Sequence, residues 1–420
     1  ALLGITLTKR HEMPMAGIPS HSADGYLTKL LNGGHKVAIC EQLEAPQTGK
    51  LVKRGITRIL TPGTVLEDRQ LDAGHNHFLL AVDFDKRGAR ASWLDLSTGK
   101  FVIAQSDSSQ DFLSVLSALS PREILVPEGM DKRVKNLQDG TLLAQELDRL
   151  FTGVTRTDRP DFDFEIRSGA REVMESLGVM NLEGFGINLD HLALGPAGAL
   201  LIYAQDVLKG KPGNIRRVEE YRTGESLLLD PATLRNLEVF KTSSQTRKGS
   251  LLDAMDQTVT SAGARLLESY LTSPERDLGE IYRRQACVAE FSQAPSAVEE
   301  VSSILKTGSD LERILGRLRN RLVRPRELGG LRATIRGLPA VSNCLLALGE
   351  RFPAIYEMGQ RVQTFEELCA VLNSALEEEL PADIKVDVKG EGGRVIRAGY
   401  NEEFDQLREL GSGGKRWILD

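Results

Sequence analysis

The spacing of apolar residues changes character twice along the chain. Over residues 1–66 it is mixed: "LLGITLTKR" reads as a strand-like run, and "ADGYLTKLLNGG" sets Tyr26, Leu27, Leu30 and Leu31 on one helical face before the Gly33-Gly34 stop. "KVAICEQL" and "TRILTPGTV" read as strands on either side of a polar loop, and Pro62-Gly63 marks a turn that closes the block. From Phe78 short apolar runs alternate with tight turns, "FLLAVDFD", "KRG", "ARASWLDL", "STG" and "KFVIAQ", which predicts an antiparallel meander. A helix carrying Phe112, Val115, Leu116 and Leu119 follows, then a buried strand, "EILVP". The apolar helix "GPAGALLIYAQDVL" ends this block at the Lys211-Pro212-Gly213 break.

After about residue 219 the period reads as helical throughout. Asp230-Pro231 predicts an N-cap and first turn for a helix with Leu234, Leu237 and Phe240. Asp277 and Glu280 stand in capping-box relation ahead of Ile281, Val288 and Phe291, and Leu311, Ile314, Leu315 and Leu318 form an apolar stripe. No repeat of fixed period emerges, which predicts an irregular helical domain rather than a solenoid. The fold class is therefore multidomain α/β plus all-α. The expected divisions are a small mixed α/β domain over residues 1–66, a linker over 67–75, an α/β domain of ribonuclease H-like layout over 76–218 and a long-helix domain over 219–420.

Composition narrows the class. At 420 residues the chain holds two or three cores, and its 41% hydrophobic content is ordinary for a globular protein. No apolar run approaches a membrane span and residues 1–20 lack a signal peptide's apolar centre, so a cytoplasmic protein is expected. The chain opens without methionine inside a strand-like run and stops at "KRWILD" in a helical pattern, so it reads as part of a longer chain. Cys40, Cys287, Cys344 and Cys369 are far apart and form no CxxC pair, which implies neither zinc nor a disulfide framework. His75 and His77 are the one close histidine pair, and no Cys or second His pair nearby completes a tetrahedral site.

The net charge of -6 argues against a generic polyanion binder. Locally the sign reverses: over residues 1–66, Lys9, Arg10, Lys29, Lys36, Lys50, Lys53, Arg54 and Arg58 outnumber Glu12, Asp24, Glu41 and Glu44. A basic head on an acidic chain suits local contact with phosphates.

Three motifs raise chemistry. "GSGGKRW" fails as a phosphate loop, because Glu409 stands where its first glycine belongs and Arg416 where its hydroxyl belongs; a glycine linker between helices is the expectation. Asp83, Asp85 and Asp95 at strand ends raise a magnesium-dependent nuclease, against ordinary surface punctuation, and no further carboxylate completes the site. Arg313, Arg317, Arg319, Arg321, Arg324, Arg326, Arg332 and Arg336, interrupted by Glu312 and Glu327, read as a solvated, ion-paired helix face rather than a DNA groove. A helical scaffold that binds protein partners is the third class of function.

"LTKR", "PMAGIPSHSADGYLTKLLNGGHKVAICEQLEAP" and "TRILTPGTVLEDR", in that order, resemble the amino-terminal region of the MutS family of DNA mismatch-recognition proteins. "LLLDPATLRNLEVF", "GSLLDAMDQTVTSAGARLLESYLTSPERD", "DLERILGRL" and "GYNEEFDQLREL" resemble the family's lever helices, so the likeness runs from end to end. It implies a mismatch-binding domain over 1–66, a connector over 76–218 and the first part of the lever domain from 219. The family's clamp and ATPase domains are expected beyond Asp420. No cofactor is expected in this chain, while ATP and magnesium belong to the complete family protein, which works as a homodimer, recruits a MutL-type repair protein and is nucleoid-associated.

The family's wedge, a phenylalanine followed two places later by glutamate, would precede Ala1. A literal Phe-x-Glu at Phe365 and Glu367 lies in a helical segment outside the matching motif and takes no such role. Pro14, Met15, Ala16 and Gly17 match the loop beside the wedge, with Lys9 and Arg10 expected on phosphates. Prolines stiffen such a loop, glycine permits close approach and a thioether suits a distorted base step. The residues alone also allow a rigid turn with Met15 in the core.

Overall fold

A computed structural model describes residues 2–10, 13–19, 22–44, 52–67, 70–137, 140–222, 224, 227, 229–382 and 393–419, without the side chains of 10, 110, 111, 231, 350 and 411–419. Residues 45–51 of the polar loop expected between the second and third strand-like runs, with Lys50, lie outside the described residues, as does Glu12. The chain divides into two compact units, one of residues 1–257, 264–276 and 315–320, the other of 258–263, 277–314 and 321–420.

The first unit opens with a two-stranded antiparallel ribbon, β1 (Thr8–Arg10) and β2 (Met13–Met15). The strand expected over "LLGITLTKR" is limited to its last three residues: Gly4 takes a left-handed φ of 63°, and pairing begins only at Thr8, opposite the end of β2 at Met15. Helix α1 (Ala23–Asn32) ends at Gly33 as its spacing predicts. A second antiparallel ribbon follows, β3 (Val37–Gln42) with β4 (Arg54–Leu60), and Leu31, Leu60 and Val65 form a small core with Leu27 and Ile39.

The larger sheet contains the predicted meander, β5 (Phe78–Asp85), β6 (Gly88–Asp95) and β7 (Lys100–Ser106). Helix α2 (Ser109–Ser117) stops short of Leu119 and leads to β8 (Glu123–Pro127), parallel to β5. Next come α3 (Met130–Lys135), α4 (Gly140–Leu150) and β9 (Thr155–Arg159), a parallel edge strand whose "TRTDR" sequence carries no apolar signal. Helices α5 (Ile166–Leu177) and α6 (Leu194–Leu208) precede β10 (Glu219–Glu220), which lies parallel to β7. The strand order is β10-β7-β6-β5-β8-β9.

Leu80, Val82 and Phe84 share one face of β5 and pack with Phe112, Leu116, Val134 and Leu143 of α2, α3 and α4. Helix α6 lies against β5 and β6 and also against α5. The α5–α6 contact is a backbone approach, since a Cβ on Gly169 would collide with the Leu194 carbonyl and one on Gly198 with the Gly169 Cα.

The purely helical expectation after 219 is corrected by β10 and by the turns that follow α7 (Pro231–Asn236). Asp230 caps α7 as predicted, accepting from the amides of Ala232 and Thr233 at 2.8 and 2.9 Å. The helix ends early because Glu238 adopts a positive φ of 49°, and Leu237 is left exposed. Helices α8 (Leu251–Met255) and α9 (Ser261–Thr272) follow.

The second unit carries α10 (Leu278–Gln293), α11 (Pro295–Lys306), part of α12 (Leu311–Arg319), α13 (Pro325–Leu346), α14 (Pro353–Arg361), α15 (Glu366–Ala375) and α16 (Glu402–Leu419). Pro295, Pro325 and Pro353 open their helices, where the missing N–H costs nothing. Asp277 caps α10 by accepting from the Glu280 amide at 2.8 Å, whereas the Glu280 carboxylate turns to Arg283 and Arg284 at 2.7 Å. Val341, Leu345, Phe352 and Ile355 make one core, and Ile314, Leu331 and Ile335 another.

Three expectations for the helices are overturned. Val288, Leu315 and Leu318 are exposed, although Ile314 is buried. "GSGGKRW" is no linker: α16 runs through it, which the surrounding helix formers permit despite the cost of each glycine. The arginine run is not one solvated face: Arg319, Arg321, Arg326 and Arg336 are exposed as expected, whereas Arg313, Arg317 and Arg332 are buried. Arg332 donates to the carbonyls of Leu376, Glu377 and Glu378 at 3.2, 3.0 and 2.9 Å, so its charge faces the end of α15.

Candidate nucleic-acid interface

The ribbon brings together the residues predicted to meet DNA. Its register places Thr8 opposite Met15, Lys9 opposite Pro14 and Arg10 opposite Met13. The Thr8 hydroxyl donates to the Met15 carbonyl at 2.9 Å and ties the strands. Pro14 fits here because a two-stranded ribbon leaves an outer edge that needs no donor. Lys9, Pro14, Met15, Ala16 and Gly17 are all exposed, and of Arg10 the backbone alone is described.

Met15 is 45% exposed and Met13 71%, which removes the alternative of a rigid turn with Met15 in the core. Two thioethers held out on one face of a ribbon, with Pro14 between them and Lys9 opposite that proline, are costly in water unless they meet a surface. Gly17 has no left-handed φ, and a Cβ there would meet nothing within 4 Å among the described residues. Its own fold does not demand glycine at this position. Sequence reasoning misses Met13, although "MPM" holds the signal: alternate residues flanking a proline share one face of a strand.

Not all of the basic head is available. Lys36 donates to the Thr157 hydroxyl at 2.7 Å and lies 3.3 Å from the Glu123 carboxylate. Arg58 is paired with Glu67. Lys53 and Arg54 at the start of β4 remain exposed.

The carboxylates raised as metal ligands are committed elsewhere. Asp83 is buried and paired with Arg90, and burial pushes its pKa up against the pull of Arg90 and Arg133. Asp85 is held well below the usual carboxylate range: its partial burial is outweighed by hydrogen bonds from Arg90 and Arg87. Asp95 accepts from the His77 amide at 2.9 Å and from the amide and hydroxyl of Ser97 at 2.8 and 2.6 Å. Among the described residues no group of His, Cys, Asp and Glu is arranged to hold a metal ion. His75 contacts Glu268 at 2.9 Å, and the His77 ring meets the Pro62 carbonyl at 2.5 Å. Phe365 is the N-cap of α15, half exposed with a positive φ of 49°, and Glu367 lies in that helix's first turn. No helix among the described residues is long and apolar enough to cross a membrane.

Family models match in order along the chain: MutS domain I over residues 1–69, MutS domain II over 77–216 and MutS domain III over 232–410. Similar proteins include one named DNA mismatch repair protein MutS from Symbiobacterium thermophilum, 34% identical over 411 residues, covering 97% of this chain and 45% of that protein. The proteins of the same name from Myxococcus xanthus and Syntrophobacter fumaroxidans are 37% and 34% identical, each covering 100% of this chain and 46% of their own length. The chain thus spans somewhat less than half the length of these relatives. An exposed, cation-bearing ribbon on a mixed α/β head, followed by matches to three successive family domains, places the chain in the MutS family, with its domains I, II and III.

Proposed function

We propose that this chain recognises mismatched double-stranded DNA for mismatch repair, with the β1–β2 ribbon lying on the minor groove. One observation carries the reading: Met13 and Met15 stand exposed on the same ribbon as Lys9, in a chain that belongs to the MutS family. Lys9 and Arg10 contact phosphate and position the ribbon without reading sequence. Pro14, Met15, Ala16 and Gly17 form its thin apolar edge, and Gly17 leaves room for the duplex.

Recognition of this kind reads deformability. A mispair keeps the grooves but loses pairing and some stacking, so a kink that costs several kcal/mol in sound duplex costs less there. We assign residues 1–66 as the mismatch-binding domain, 67–75 as a linker, 76–218 as the connector and 219–420 as the first part of the lever. The strand order of the large sheet, three antiparallel strands continued by parallel ones, supports a ribonuclease H-like connector. In the complete protein the ATPase, its ATP and magnesium, a second copy of the chain and a MutL-type partner act with these domains, in the cytoplasm at the nucleoid. A nuclease has no support, since Asp83, Asp85 and Asp95 are occupied by arginines, amides and a hydroxyl.

The test is a binding titration of the complete protein with a G·T heteroduplex and its matched control, from low to physiological salt. Tighter binding of the heteroduplex at every salt concentration is expected. Equal affinity for both would overturn the proposal.

A further inference from the structure

Thr61 to Leu66, the segment that leaves β4, is buried throughout, although its sequence "TPGTVL" is that of a surface turn. Its polar groups converge on one carboxylate of β8, Glu123, which is fully buried. The Thr61 hydroxyl donates to Oε2 at 2.5 Å and the Gly63 amide at 3.1 Å. Oε1 accepts from the hydroxyls of Thr157 and Tyr203 at 2.6 and 2.7 Å. Lys36 lies 3.3 Å from the same oxygen and sits over the Tyr203 ring, 5.2 Å from its centroid. Burial, then the charge of Glu123, raises the Tyr203 phenol far above its ordinary pKa, so it remains a donor.

Every group around Glu123 donates, so the position needs a side chain that accepts at both oxygens, as a carboxylate does and an amide does not. The donors also come from both roots of the β3–β4 ribbon: Lys36 immediately precedes β3, while Thr61 and Gly63 immediately follow β4. Two further contacts close the joint. The Thr155 hydroxyl donates to the Gly34 carbonyl at 3.4 Å, and the His77 ring meets the Pro62 carbonyl at 2.5 Å. Gly63 is required here by space, for a Cβ would lie 2.7 Å from Glu123 Cβ and 2.7 Å from Leu79 Cδ1.

We propose that Glu123 is a positioning residue for recognition: its carboxylate clamps both roots of the β3–β4 ribbon to the large sheet and thereby fixes the domain that carries the DNA-facing ribbon. This rests on the function proposed above. Glu123 does not touch DNA; it sets the frame from which β1–β2 presents its methionines.

The test compares wild type with Glu123→Gln in the complete protein, by hydrogen exchange without DNA and by heteroduplex and matched-duplex binding. Glu123→Gln should speed exchange of the Gly63 amide about tenfold or more, the effect of losing a charge-assisted hydrogen bond, with the β5–β7 amides unchanged. It should also lower the ratio of heteroduplex to matched affinity without altering the salt slope, which reports phosphate contacts. Gly63→Ala keeps the charge but wedges the joint and should act in the same direction. Lys36→Met, at a position open to solvent, should give a smaller shift of the same sign. Unchanged exchange at Gly63 would show that Glu123 is no anchor, and faster exchange with an unchanged ratio would show that the anchor positions nothing. A wild type without mismatch preference would overturn the function, while the exchange experiment still decides the clamp.

Discussion

Asp83 on β5 stands directly opposite Arg90 on β6 in the sheet register, and their side chains form an ion pair of which 2% and 5% remain accessible to solvent. Arg90 also reaches Asp85 at 2.8 Å, so the guanidinium fills the space between two carboxylates that a metal would need. Removing one member of such a pair takes the main partner from the other in a place without water, and only Asp85 is left to Arg90 or the more distant Arg133 to Asp83. Asp83→Asn should therefore cost about 3 kcal/mol, and Asp83→Asn with Arg90→Met markedly less than the sum of the two single changes. Urea unfolding of the four proteins of the cycle measures this. Additive losses would show that the pair is not coupled.

The segment that precedes β5 is tied to α9 by a histidine. His75 contacts Glu268 at 2.9 Å, and the Arg265 guanidinium donates to the Ala73 carbonyl at 3.1 Å. The hydrogen bond to Glu268 raises the His75 pKa, against its burial and Arg247, with help from the charges of Glu268 and Asp72. A raised histidine contributes stability that is complete below the unfolded value of about 6.5 and is lost as pH rises through the folded pKa. Protection of amides 70–76, corrected for the intrinsic pH dependence of exchange, should fall as pH rises through the raised His75 pKa in wild type and show no such step in His75→Gln. Buried His191 has the opposite sign, since burial lowers its pKa, so a global unfolding curve would blend the two.

The strands of the meander are legible in the sequence because their apolar runs and glycine turns are local signals, and α1 and the Asp230 and Asp277 caps are legible for the same reason. Strand β9 is not, since its arginines, aspartate and threonines form a strand through parallel pairing with β8. Nor can local pattern place the arginines of α12 and α13, because a carbonyl such as that of Leu376 lies far away in sequence from Arg332. The residues proposed to face DNA stand out through resemblance to a family, and the geometry adds what that likeness lacks: the exposure of Met15 and its pairing with Thr8. Glu123 reads as the first residue of an apolar strand, and nothing in "EILVP" announces the donors that Thr61, Gly63, Thr157 and Tyr203 bring to it.

Close packing of α5 on α6 depends on glycines at the crossing. A side chain at Gly169 would strike the Leu194 carbonyl, a backbone atom that cannot swing aside. Gly169→Ala should destabilise the first unit by about 3 kcal/mol, even though alanine is the better helix former. Gly178→Ala, where open space is available but φ is 70°, should cost about 1 kcal/mol from backbone strain alone. Thermal unfolding of both variants separates a clash from a conformational penalty, and equal losses would contradict the packing argument.

Arg332 closes the carboxyl end of α15 with three hydrogen bonds to consecutive residues. Its fork geometry matters as well as its charge, so lysine is no substitute. Arg332→Lys and Arg332→Ala should each lower stability by about 2 kcal/mol, with faster exchange of the amides of α15. Full rescue by lysine would mean that only the positive charge is used.

Met15 and Lys9 divide the work of the ribbon, and their variants should separate in a binding experiment. Met15 presents an exposed thioether beside Pro14, with no charge of its own, so its contact depends on how far the base step has opened. Met15→Ser in the complete protein should weaken heteroduplex binding by about 1 kcal/mol or more, leave matched-duplex binding nearly unchanged and leave the salt slope as it was. Lys9→Ala with Arg10→Ala should weaken both duplexes alike and reduce the slope of log K against log salt by about 2, because each of the two cations neutralises one phosphate. Fluorescence titrations at several salt concentrations resolve the two patterns. If the methionine variant flattened the salt slope, or the basic pair removed mismatch preference alone, the assignment of apolar edge and phosphate anchors on this ribbon would be reversed.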